Sequence, residues 1–294
     1  MVTENLKSKV IEAIKERRRL FESSDAKYAT SMGLSATAYS RLIKGQTDRV
    51  ISDQTWITLA RKLEVSAGDA PEWKIANTPV YQFITAQLEA CQQNSMSALL
   101  CDLSDIGKTF TAKVYCKTHR NAIYIDCSQV KSRQKLIRCI ASGFGLGSAG
   151  KYADVYADLV YYIKTMVTPL IILDEAGDLS YEAFLEVKAL WNATELSCGY
   201  YMMGADGLRE KIKRAINCKK VGYAEVFSRF GKRYGSIIPE NENGARELLT
   251  SSARMIIKAN NHSDADCGTV LRNTLGDDNM PSLRRIYKEL AKAQ

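Results

Sequence analysis

Five short apolar runs punctuate residues 97–238: "SALLC" (97–101), "AIYIDC" (122–127), "PLIILDE" (169–175), "GYYMMG" (199–204) and "YGSII" (234–238). Helical stretches beginning near Lys108, Lys131, Tyr152 and Tyr181 lie between them. Strands this apolar leave no polar face for water, so both faces must be covered. Alternating helices supply that cover from each side. The expected fold is therefore α/β: a five-stranded parallel sheet over residues 80–239, with helices on both faces. After Pro239 the strand pattern stops, and residues 240–294 read as a small helical appendage.

Two strand ends carry chemistry. Gly107-Lys108-Thr109 follows "SALLC" and opens the next helix. A helix N-terminus presents free N–H groups and a positive dipole end, which suits phosphate. Lys108 would neutralise the β- and γ-phosphates, and Thr109 would ligate Mg²⁺. Asp174-Glu175 ends the most apolar strand and points to the crevice where open α/β sheets bind ligands. Asp174 would hold the Mg²⁺ shell while Glu175 activates the attacking water. The two pieces, in this order and about 65 residues apart, predict an ATP site with Mg²⁺.

Further residues fall where such a site can use them. Asp206 follows the fourth strand and is a candidate to position water. Arg229, Lys232 and Arg233 precede the last strand, where an arginine can reach a neighbouring subunit's γ-phosphate. Asn279 is a candidate cap for the final helix, whose Arg284 and Arg285 can lean over the phosphates.

The first 65 residues read differently. "ENLKSKVIEAIKERRRLF" and "ISDQTWITLARKLEV" are amphipathic helices. Between them, residues 24–45 hold a short helix ended by Gly33, the N-cap residue Ser35, and a second helix closed by Gly45. The stretch "AKYATSMGLSATAYSRLIKG" resembles the helix-turn-helix of phage-repressor-like proteins. That resemblance places the second helix in the major groove, with Ser35, Thr37, Tyr39, Ser40, Arg41 and Lys44 toward DNA. A protein-interaction module of the same shape is the alternative. Residues 66–79, rich in small residues and proline, read as a linker.

Charge points the same way. Lys and Arg number 41 against 33 Asp and Glu, a net charge of +8 with a pI near 9.0, which favours a polyanionic partner. Lys131, Arg133 and Lys135 follow the second strand; Arg209, Lys211, Lys213, Arg214, Lys219 and Lys220 follow the fourth. Both groups leave the same edge of the sheet, either as solvated helix faces or as a basic surface that an assembly of subunits would present to DNA phosphates without reading sequence. The eight cysteines show no CxxC pair, so they read as reduced thiols rather than a disulfide or zinc framework. No run reaches the roughly 18 apolar residues of a membrane span, and the N-terminus has no signal-peptide pattern.

In order, the "SALLC" strand with GKT, "LIILDE", "GAD", "FSRF" and "LRR" resemble the Walker A, Walker B, sensor 1, arginine finger and sensor 2 of AAA+ ATPases. The resemblance spans about residues 75–294. With the N-terminal helices added, the chain is most similar to the transposition ATPases of the phage MuB, TnsC and IstB type. That resemblance implies ATP-dependent assembly as a ring or helical filament on double-stranded DNA. It also implies delivery of that DNA to a transposase, and a cytoplasmic, bacterial or phage-encoded protein. Three departures stand out: Asp102 and Asp105 replace loop glycines, and Ala205-Asp206 stands where sensor 1 usually has Asn. Two acids beside a triphosphate imply weak affinity until subunits and DNA complete the site. A DNA-specific transcription regulator, a helicase loader and a nucleotide-dead scaffold are the competing readings.

Overall fold

A computed structural model describes residues 2–21, 24–63, 65, 73–261 and 266–292. Half of the expected linker, residues 66–72, lies outside them. Four helices come first: α1 (Glu4–Arg19), α2 (Asp25–Met32), α3 (Ala36–Ile43) and α4 (Asp53–Lys62). They share one core in which Trp56, Tyr28, Ile14, Leu42 and Leu59 are almost fully buried. The turn between α2 and α3 follows from its residues. Gly33 takes the left-handed conformation at φ 77°, and the Ser35 hydroxyl accepts the Ala38 amide to start α3. These helices rest on the next layer: the Phe21 ring packs so closely on Gly145 that it leaves no room for a Cβ there. Lys62 Nζ donates to Ser31 O within the four helices and to Ser142 Oγ across the same contact.

The α/β layer runs α5 (Pro79–Gln93), β1 (Ser97–Cys101), α6 (Lys108–Thr118), β2 (Ala122–Asp126), α7 (Arg133–Gly143) and α8 (Tyr152–Thr165). It continues with β3 (Leu170–Asp174), a 3-10 turn (Ala176–Asp178), α9 (Tyr181–Ala193), β4 (Gly199–Gly204), α10 (Asp206–Asn217) and α11 (Tyr223–Arg229). The strands pair in parallel, in the order β1-β4-β3-β2. This order puts β3 and β4 inside, and every residue of both is buried. One face of the sheet packs on α7 to α11 and the other on α5 and α6, joined by α12 (Glu242–Asn260). Burying each of Leu170 to Leu173 is worth about 1.5–3 kcal/mol, which is why the least polar run holds the sheet's centre.

The sheet has four strands, not the five that the apolar runs suggest. Residues 234–238 make a single parallel bridge, Leu100 to Gly235. Gly235 fits there because a Cβ would stand 3.0 Å from Leu99 O. Beyond it the pairing ends, since the Ile237 and Ile238 amides both turn to the carboxylate of Asp102. A side chain thus takes the hydrogen bonds that a fifth strand would have given to β1. The chain closes with α12, α13 (Cys267–Asn273) and α14 (Leu283–Lys292), gathered around Ala253, Ile257, Val270, Ile286 and Leu290. No described helix is long and apolar enough to cross a membrane.

Candidate nucleotide site

The turn from β1 into α6 has two residues in the left-handed region, Asp105 at φ 61° and Gly107 at φ 97°. Asp102 is not among them, so that position needs no glycine for its backbone. No side chain caps α6, which leaves its first amides available to an anion. Lys108 is buried, with Nζ donating to Asp102 O at 2.9 Å and to Leu103 O. Burial pushes its ammonium pKa down, opposed by Asp102, Asp174 and Glu175. A cation held only by carbonyls and nearby acids, beside an uncapped helix start, fits a phosphate. The loop and α6 line a cavity of about 560 Å³, a volume within the range of ligand pockets.

Asp102 does not line this space, and Asp105, which does, has both carboxylate oxygens engaged by protein donors. Asp102 Oδ1 accepts the Leu103 amide at 2.7 Å; Oδ2 accepts the Ile237 and Ile238 amides and the Ser236 hydroxyl. Asp105 accepts the Ser282 hydroxyl at 2.6 Å and the Arg284 amide at 3.1 Å. Each acid joins the phosphate loop to a different segment of the chain.

At the end of β3, Asp174 accepts Thr109 Oγ1 at 2.6 Å, the Tyr124 hydroxyl at 2.9 Å and the Glu175 amide at 2.8 Å. Thr109 and Asp174 offer hard oxygen donors side by side, which suits Mg²⁺. Among the described residues no cluster of three or more His, Cys, Asp or Glu forms a metal site. Magnesium does not need one, because it is commonly held by one or two protein ligands plus phosphates and water. Glu175 lines the cavity and adopts φ 49°, a left-handed conformation that turns the chain out of β3. Desolvation raises its carboxyl pKa, reinforced by Asp174 and opposed by Lys108. A base must be deprotonated to act, so the acid limb of the hydrolysis rate should lie above the pH typical of a free glutamate. A pH–rate profile of kcat/KM, which reports the free enzyme, checks this; a limb at or below the free-glutamate value would remove Glu175 as the base.

The far end of the cavity is aromatic, and sequence reasoning missed it. Trp73, Tyr81, Phe110, Ile256, Leu283 and Tyr287 line it. Trp73 meets Tyr287 of α14 with ring centroids 5.4 Å apart. The one sequence signal was a large aromatic residue inside a stretch otherwise small and proline-rich. Arg284 also lines the cavity, while the Arg285 guanidinium turns away to Leu275 O. Asn279 precedes α14 at φ 56° rather than capping it.

Other candidates lie elsewhere. Ala205 lines the cavity, but Asp206 does not; its carboxylate is 3.7 Å from Arg209. Arg229 lies over Trp191 and donates to Asn192 Oδ1 and Glu225 O, away from its own chain's cavity. Lys131 pairs with Asp178 at 3.4 Å, and Arg133 lies over Tyr152. Lys213 pairs with Glu210, whereas Lys135 and Arg214 are exposed. Lys211 is occupied: Nζ donates to Gly177 O and Leu179 O, both at 2.7 Å. Arg41 bonds Gln46 and Lys44 is exposed, both at the end of α3.

A search of curated proteins finds no match to this chain. Residues 91–212, from the end of α5 into α10, match the family model described as "AAA domain". That stretch includes the phosphate loop with Lys108 and Thr109, the Asp174-Glu175 pair and all four strands of the sheet. An AAA domain implies nucleotide binding, usually with Mg²⁺, and the residues gathered here fit both. Residues 91–212 are therefore similar to an AAA+/P-loop ATPase domain, which supports a nucleotide hydrolase by type.

Proposed function

We propose that the protein is an ATP-dependent, largely sequence-nonspecific DNA-binding regulator of DNA transposition. It assembles on target DNA, presents that DNA to a transposase or activates it, and releases it on hydrolysis. The observation that carries the ATPase half is the convergence of Lys108, Thr109, Glu175 and Arg284 on one cavity, with Asp174 bonded to Thr109. Mg²⁺ held by Thr109 and Asp174 would offset phosphate charge. Lys108 and the first amides of α6 bind and orient the phosphates, and Glu175 takes a proton from the attacking water. Asp206 reaches a water-positioning role only by leaving Arg209. Arg229, remote from its own cavity, fits a role in a neighbour's site, as a subunit assembly requires.

Basic charge supports the DNA half. Lys135, Arg214 and the ends of α3 and α10 present cations to solvent, and the chain is basic overall. The α2–turn–α3 unit offers Arg41 and Lys44 as further phosphate contacts. Electron microscopy tests the proposal, using duplex DNA and a slowly hydrolysed ATP analogue at low salt. Rings or filaments that need both nucleotide and DNA, and that dissolve as salt rises, are the expected result. Monomers under all these conditions would refute assembly. A large preference for one DNA sequence would instead favour a transcription regulator.

A further inference from the structure

We infer that Asp105 is a positioning residue that caps the lid helix α14 from the phosphate loop and thereby holds Arg284 over the nucleotide cavity. The helix begins at Leu283, so Ser282 occupies its N-cap position. The Ser282 hydroxyl accepts the Arg285 amide at 3.3 Å, an ordinary serine cap, and donates its proton to Asp105 Oδ2 at 2.6 Å. Asp105 Oδ1 accepts the next free donor, the Arg284 amide, at 3.1 Å. One cap is therefore shared between a residue of the lid and a residue 177 positions earlier in the chain. The carboxylate also lies at the positive end of the α14 dipole and 3.7 Å from Arg284 Nε.

The consequence follows from where these atoms lie. Asp105, Leu283 and Arg284 all line the same cavity, and Tyr287 one turn on meets Trp73 at its far end. The contact thus closes the cavity between its phosphate-binding floor and its aromatic roof. Aspartate suits the position twice over: its side chain supplies the cap, and it tolerates the left-handed φ of 61° that a glycine would otherwise serve. The Arg284 side chain is 81% exposed, so its backbone anchor, not packing, sets where the guanidinium can reach. Asp105 acts through Arg284 and the lid, and its own carboxylate need not touch a nucleotide.

This inference rests on the nucleotide-hydrolysing reading, and two variants of the full chain test it. Asp105→Gly keeps the backbone conformation and removes the cap; Asp105→Asn keeps an acceptor and removes the charge. Hydrogen exchange without nucleotide reads the cap alone. Asp105→Gly should speed exchange at residues 283–286 by about tenfold while β1 and β3 peptides stay protected, and Asp105→Asn should restore most of that protection. In hydrolysis assays Asp105→Gly should lower kcat by about tenfold with KM for ATP little changed, with partial rescue by Asn. Unchanged exchange in the glycine variant overturns the inference, as does an equal loss of kcat in both variants. Absence of any nucleotide binding by the wild-type chain would refute the ATPase reading, and the exchange measurement would still decide the cap.

Discussion

Glu175→Gln is expected to retain ATP binding and to lower the hydrolysis rate by about 10²–10⁴-fold, the usual worth of a positioned general base. The amide is nearly isosteric and leaves the Asp174–Thr109 contact in place, so ground-state binding has no reason to change. Lys108→Ala should behave in the opposite way. It removes the buried cation from the helix start and should weaken nucleotide binding by on the order of a hundredfold or more. Equilibrium binding of a fluorescent ATP analogue and single-turnover hydrolysis separate the two. In the proposed assembly, Glu175→Gln should give persistent DNA complexes and Lys108→Ala none. Equal hydrolysis by wild type and Glu175→Gln would move the base elsewhere in the cavity.

The second large effect is expected at Asp102, where a glycine would restore the usual loop sequence. Restoring it should do harm. Asp102 is buried, and its two oxygens serve the amides of Leu103, Ile237 and Ile238 together with the Ser236 hydroxyl. Each buried donor left without a partner costs about 1–3 kcal/mol, so Asp102→Gly or Asp102→Ala should lose about 2–5 kcal/mol. For a domain of this size that lowers the thermal midpoint by about 5–15 °C. Asp102→Asn keeps one acceptor and should fall between. A glycine variant as stable as wild type, with tighter ATP binding, would mean the acid is only a damaged loop position.

The parts that were legible in the sequence are those encoded by neighbours in the chain. The run Leu170 to Leu173 could only be a strand buried on both faces, and all four residues are fully buried. Gly107-Lys108-Thr109 and Asp174-Glu175 each sit at a strand end, so the sheet brings them together once it forms. The fifth run was misleading because a strand is a property of pairing. "YGSII" has the composition of a strand, but its last two amides are claimed by an aspartate 135 and 136 positions away. Trp73, Tyr81 and Tyr287 were illegible for a related reason, since they become one surface only where α14 folds over the phosphate loop. The two loop acids looked like electrostatic obstacles to a triphosphate. Only the three-dimensional contacts reveal that their lone pairs are directed to backbone and hydroxyl donors elsewhere.

Lys211 has a mechanical meaning that its charge conceals. From the middle of α10 it grips two carbonyls of the turn that follows Glu175, while Lys131 holds Asp178 of the same turn from the segment before α7. Burial lowers its ammonium pKa, so its two carbonyl bonds must hold a charge that water no longer surrounds. The turn is short and begins at a left-handed glutamate, which leaves it little slack to absorb a shift at either tether. The basic outer helix and Glu175, the proposed base, are therefore joined as a lever is to its pivot: a force that drew α10 outward would act on the backbone from which Glu175 is aimed.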